Sequence, residues 1–132
     1  MKWTTCIREH QNIQARYAAL RRIARKLKHY DCPEPDVCTV GTLAWYLQHD
    51  DALPIAQVYL KLGSADEFCI NTRKPESTEI NTRTASLSDM SGDETLKIFS
   101  RLMHQRFFFA GKMTSEQMSS IRTPYKPKTV IN

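Results

Sequence analysis

Apolar residues Ile13, Tyr17, Leu20, Ala24 and Leu27 recur in steps of four, three, four and three, with arginines and lysines between them. That spacing predicts an amphipathic helix from about Thr5 to His29, uninterrupted by Pro or Gly. So narrow a stripe leaves two readings open: a helix packed on its own domain, or a seam for a partner helix. Cys32-Pro33-Glu34-Pro35-Asp36 then stops the helix, because two prolines remove backbone donors and fix φ. A second helix is expected from Val37 to His49, carrying Leu43, Trp45, Tyr46 and Leu47. A third is expected to start near Asp51 or Ala52 with Pro54 in its first turn, and to end at Leu62 before Gly63. Helix, short turn and helix outline an αα-hairpin or a helix-turn-helix. Phe68-Cys69-Ile70 is a brief apolar island, readable as a short strand or a plug.

Residues 71–88 are rich in Thr, Ser, Asn and Arg. The tetrapeptide Ile-Asn-Thr-Arg occurs twice here, at Ile70–Arg73 and Ile80–Arg83. Coincidence and a polar, phosphate-touching arm both account for it. Ser91 and Glu94 match a capping box that opens a helix with Leu96, Phe99, Leu102, Met103 and Phe107 on one side and an end at Gly111. Three adjacent phenylalanines, Phe107 to Phe109, cannot all face one core. Thr114 and Gln117 match a second box ahead of a basic tail. The expected fold is all-α: a small, dimeric, multi-helix domain with a helix-turn-helix-like C-terminal part. Its parts are a dimerisation and core region (1–70), a polar arm with a DNA-contacting helix (71–111), and a flexible basic tail (112–132).

Charge adds direction to this pattern. The net charge is +5, but Lys2, Arg8, Arg16, Arg21, Arg22, Arg25, Lys26 and Lys28 stand against Glu9 alone in the first 30 residues, leaving the rest slightly acidic. A field concentrated in this way points to an acidic partner: phosphate, an acidic protein or anionic lipid. No window approaches a membrane span and no apolar signal core opens the chain, so a cytoplasmic location is expected. The stripe of the first helix is too thin for insertion into a bilayer. Cys6, Cys32, Cys38 and Cys69 are too irregular for a secreted disulfide framework and read as reduced, mostly buried thiols. His10, His29, His49 and His104 are scattered, and nucleophile-elbow, P-loop and paired-carboxylate motifs are lacking, so no enzyme, cofactor or small-molecule substrate is expected. His29, Cys32, Cys38 and His49 have the chemistry of a zinc site but not its usual C-x2-4-C spacing, and no metal is expected.

Leu53-Pro54-Ile55-Ala56-Gln57-Val58-Tyr59-Leu60-Lys61-Leu62-Gly63-Ser64-Ala65-Asp66-Glu67-Phe68-Cys69 resembles the FlhD family of transcriptional activator subunits, in which a Leu-Pro helix runs through Lys-Leu to a single Cys. Asn12 to Leu20 is similar to that family's first helix. The flagellar master regulator and the transfer-gene activators of conjugative elements are the members it resembles. The resemblance implies an all-helical homodimer that joins a zinc-binding FlhC-like subunit in a hetero-oligomer on double-stranded DNA and activates transcription in the bacterial cytoplasm. Under it, Ile13, Tyr17, Leu20, Leu27 and Cys69 form the dimer interface, while Arg73, Lys74, Arg83, Lys97, Arg101 and Arg106 contact DNA. The alternative reading is a phage- or plasmid-encoded adaptor or inhibitor that docks on an acidic host protein.

Overall fold

The computed structural model describes Trp3 and residues 15–39, 41–61, 64 and 66–121, except for the side chains of 15–17. Helix α1 (Ala15–His29) leads into strands β1 (Val37–Thr39), β2 (Thr42–Trp45), β3 (Ala56–Leu60), β4 (Glu67–Thr72) and β5 (Asn81–Ser86). Helices α2 (Met90–Phe109) and α3 (Ser115–Ser119) follow. The strands form one antiparallel sheet in sequence order, with β1 and β5 at its edges. The fold is therefore α/β, not all-α, and no helix-turn-helix is formed by residues 37–62.

The physical reason lies in residues that favour extended backbone. Val37, Thr39 and Thr42 are β-branched, and Gly41 turns the chain with φ 100° inside a two-residue connection that pairs Thr39 with Thr42. In β3, Ala56, Val58 and Leu60 are buried while Gln57 and Tyr59 are half-buried. That alternation has the period of a strand, not of a helix. The apolar island at Phe68–Ile70 is the middle of β4. The repeated tetrapeptide pairs with itself across β4 and β5: Ile70 faces Arg83, Asn71 faces Thr82, and Thr72 faces Asn81. Thr82 Oγ1 donates to Asn71 Oδ1 at 2.7 Å, closing one of these rungs.

The residues on one sheet face, including Leu43, Trp45, Val58, Phe68 and Ile70, pack with both long helices into a single core. Helix α1 contributes Ala19, Leu20, Ile23, Ala24 and Leu27. That stripe is broader than a heptad seam, so α1 docks on its own sheet. Helix α2 contributes Leu96, Phe99, Met103 and Phe107, with Phe99 edge-on to Trp45 at 5.2 Å, a geometry that adds about 1 kcal/mol to simple burial. Its N-cap is Asp89, which accepts from the Ser91 amide at 2.9 Å, so the helix opens two residues before the Ser91 box expected from sequence. Asp93 instead joins the two helices: it accepts from Tyr30 at 2.7 Å and from Lys26 at 3.1 Å. Thr114 and Gln117 do form a capping box. Phe107 is buried, whereas Phe109 is 82 % exposed.

Between α1 and β1 the backbone is held by three ring N–H groups. His104 Nε2 lies 2.8 Å from the Asp31 carbonyl, Trp3 Nε1 donates to the Cys32 carbonyl at 3.3 Å, and Trp45 Nε1 donates to the Pro33 carbonyl at 2.7 Å. A carbonyl can only accept, so Nε2 carries the imidazole proton. His104 is fully buried, and its Nδ1 has no hydrogen-bond partner among the described residues. Cys38 is disulfide-bonded, while Cys32 and Cys69 are free thiols. The reading of every cysteine as a reduced thiol is overturned at Cys38, and the set weighed for zinc loses a ligand there. Burial pushes the Cys32 thiol well above its ordinary value. Among the described residues, no helix is long and apolar enough to cross a membrane.

Two outcomes follow from this packing. A Cβ on Gly92 would stand 2.0 Å from the Ser86 carbonyl oxygen. Gly92→Ala should therefore cost about 2 kcal/mol or more and lower the midpoint of thermal unfolding, read by circular dichroism, by roughly 6 °C or more. Burial holds His104 below the ordinary histidine range, so it stays neutral in the fold and protonates when the chain unfolds. Stability contributed in this way is complete above the unfolded pKa of about 6.5 and declines as pH falls from there toward the folded value. Denaturant titrations across that window should show stability falling with pH, with about 1.4 kcal/mol per pH unit as the ceiling that one proton sets. A His104→Gln variant, though less stable at neutral pH, should lack that slope.

Candidate binding groove

The 73–80 connection leaves β4, turns through Lys74–Ser77 with Glu76 at φ 65°, and returns into β5. Arg73 holds it in place. Its Nε donates to the Pro54 carbonyl at 2.9 Å and its Nη2 to the Leu53 carbonyl at 2.7 Å. Its Nη1 reaches the Ser77 carbonyl at 3.3 Å and the Lys74 carbonyl at 3.5 Å. This guanidinium is spent on backbone oxygens, which makes Arg73 a staple of the groove wall.

With the connection pinned, a groove of about 420 Å³ opens between β5, the ends of β4 and the outer flank of α2. Its floor is apolar: Ile70, Ile98, Phe99 and Leu102. Ile98 is 46 % exposed and Ile80, on the wall, is 49 % exposed. Lys74, Arg83 and Arg106 rim it, against the one carboxylate of Glu79. Among the described residues the ion pairs are Lys26–Asp93 and Lys61–Glu67, so these three cations have no carboxylate partner. Partial burial lowers the pKa of Arg106. The groove continues past Arg73, Leu102 and Arg106 toward Leu47 and Phe109, where Asp51 and Glu76 add two carboxylates to its lining.

The structure thus brings Arg73, Lys74, Arg83 and Arg106 of the sequence-derived DNA set to one place, while Lys97 and Arg101 do not line it. The Arg101 Nε is buried without a partner among the described residues. Of the residues assigned to a dimer interface, Leu20 and Leu27 are fully buried in this chain's own core. Cys69 lies on the sheet face away from the helices, 3.6 Å from Thr84 Oγ1. Ile13 and the Tyr17 side chain lie outside the described residues. Sequence reasoning missed Ile80, Ile98 and Leu102 as groove residues. The signal was an apolar residue left in a polar stretch, together with a second apolar flank on the α2 periodicity.

His29, Cys32 and His49 come together in no metal-binding cluster, and among the described residues no group of three or more His, Cys, Asp or Glu could hold a metal ion. Helix α1 turns Arg22, Arg25 and Lys28 outward as an exposed ridge. Comparison with family models, with curated proteins and with solved structures finds no match.

If Arg73 is a staple, Arg73→Met, which keeps most of the alkyl stem, should destabilise the fold by about 1–2 kcal/mol. Hydrogen exchange would localise the loosening to residues 53–55 and 73–77.

Proposed function

We propose that this chain is a non-enzymatic protein-binding module that takes an acidic, partly apolar segment of a partner into the groove between β5 and α2. One observation carries the reading: Lys74, Arg83 and Arg106, which have no carboxylate partner among the described residues, line a groove with an apolar floor. An apolar floor is wasted on a phosphate backbone, which is wet and convex, whereas an acidic peptide uses both floor and rim. Desolvated arginine-carboxylate contacts then supply specificity as well as attraction.

A second reading, a DNA-binding regulatory subunit, is supported by the outward ridge of Arg22, Arg25 and Lys28 on α1. Arg25 and Lys28 are exposed there, as is Arg22, which also sends one guanidinium N–H to the Leu87 carbonyl at 3.5 Å, and a row of exposed cations on one helix suits backbone phosphates.

Fluorescence anisotropy separates the two. A short unstructured peptide mixing Glu, Asp, Ile and Val should bind the full chain, and Arg83→Glu or Arg106→Glu should each weaken it by about tenfold or more. Arg22→Glu with Arg25→Glu should leave peptide binding unchanged. A labelled DNA duplex that binds where the peptide does not, with loss in the α1 variant, would replace the protein-binding reading by the second one.

A further inference from the structure

The groove borders β5, an edge strand with no further strand paired to it among the described residues, and each residue of that edge has a fixed polarity. The Leu87 amide donates to the Asp66 carbonyl at 2.9 Å, one step beyond the Ser86–Glu67 pair. Antiparallel ladders alternate between hydrogen-bonded and non-hydrogen-bonded pairs. Ala85, Arg83 and Asn81 therefore direct their amides and carbonyls to β4, and Ser86, Thr84 and Thr82 direct theirs outward. The short side-chain contacts Cys69–Thr84 and Asn71–Thr82 agree, because side chains approach most closely at non-hydrogen-bonded pairs.

This edge carries little protection. Proteins blunt exposed edges with prolines, bulges, short strands or inward charges. β5 pairs all six of its residues in unbroken register, contains no proline, and is exposed from Asn81 to Thr84. The opposite edge, β1, is three residues long. Arg83 is the single charge on β5, and it lies on the helix-covered face, at the groove.

Building on the protein-binding reading, we infer that the partner segment adds to the sheet as a sixth, antiparallel strand on β5, with alternate side chains, acidic and apolar, entering the groove. Guest residues that bond to Thr82, Thr84 and Ser86 point their side chains to the open face of the sheet, where Thr82, Thr84 and Asn71 offer neutral polar neighbours. The residues between them point to the groove face, toward Arg83, Arg106 and Ile98. The guest is a foreign acidic segment rather than a second copy of this chain. A symmetric β5–β5 pairing that joins Thr82, Thr84 and Ser86 of the two copies brings the two Arg83 side chains opposite or diagonal to one another, and like charges there are destabilising.

The test uses a peptide with Thr at alternate positions and Glu or Ile between them, titrated against the full chain. N-methylation of the Thr residues removes the amides that face β5 and should abolish binding. N-methylation of the Glu and Ile residues, whose amides face solvent, should change affinity by less than about threefold. Thr84→Pro removes an outward amide without touching the β4 ladder, so it should preserve the circular dichroism spectrum and reduce binding at least about tenfold. Equal tolerance of both methylation phases, with binding still lost in Arg83→Glu, would overturn strand addition and keep the groove. Binding insensitive to Arg83→Glu and Arg106→Glu would overturn the groove itself. A dimer in sedimentation equilibrium that Thr84→Pro dissociates would overturn the foreign guest in favour of a second copy.

Discussion

Three consecutive carbonyls, of Asp31, Cys32 and Pro33, hold this molecule together. Each receives a ring N–H from a different part of the chain: His104 of α2, Trp3 near the N-terminus, and Trp45 of β2. A connector with two prolines has few ways to satisfy its own buried backbone groups, and a carbonyl buried without a donor would cost about 1–3 kcal/mol. Meeting the three with aromatic and imidazole rings solves that problem and fixes where α1 ends relative to the sheet. Asp31 adopts φ 57° to present its carbonyl, a conformation that costs about 1–2 kcal/mol in a residue other than glycine. The rings that meet these oxygens also pack the core, so polar satisfaction and apolar burial are set by the same residues.

From that joint the position of α2 follows. His104 anchors its C-terminal half under the connector, Phe99 meets Trp45 in the middle, and Gly92 lets its first turn sit against the Ser86 carbonyl. Asp93 ties the same turn to α1 through Tyr30 and Lys26, and those contacts hold its carboxyl below the ordinary range. A helix fixed at three points cannot slide outward to cover the sheet's edge. Its flank of Ile98, Leu102 and Arg106 is therefore left facing β5 across an open groove. The groove is a consequence of how the core closes, and its apolar floor is the part of the helix-covered layer that two helices are too few to cover.

How much of this could be read from the chain depended on which competing periodicity was given weight. α2 is legible because Leu96, Phe99, Met103 and Phe107 keep helical spacing over twelve residues. α1 was legible as a helix, but its packing was not. With Ala19 and Ile23 the stripe is a broad core face; without them it has only the width of a seam. The sheet was missed because its strands are short and its turns are marked by single residues such as Gly41. In a run such as Leu43-Ala44-Trp45, or Ala56 to Leu60, helical and extended patterns coincide over three to five positions, and only β-branching and alternation separate them. Within the Leu53–Cys69 stretch, whose letters suggest a helix start after Leu-Pro, Ala56–Leu60 form β3 and Glu67–Cys69 open β4.

The duplicated Ile-Asn-Thr-Arg tetrapeptide shows the limit more sharply. Read along the chain, two copies ten residues apart invite either coincidence or a charged arm. Read across the sheet, they are antiparallel partners, and Thr and Asn, which hydrogen-bond each other across the Asn71–Thr82 rung, are a reason for the repeated composition. The same pairing separates the two arginines by function. Arg73 falls just past the ladder, where its guanidinium is consumed by four backbone carbonyls, whereas Arg83 falls on the rung opposite Ile70, where no carboxylate among the described residues pairs with it. One residue type in one motif thus becomes a structural staple in the first copy and a free cation in the second, and register alone decides between them. The charge facing the groove is thus set by which strand of the pair lies at the edge.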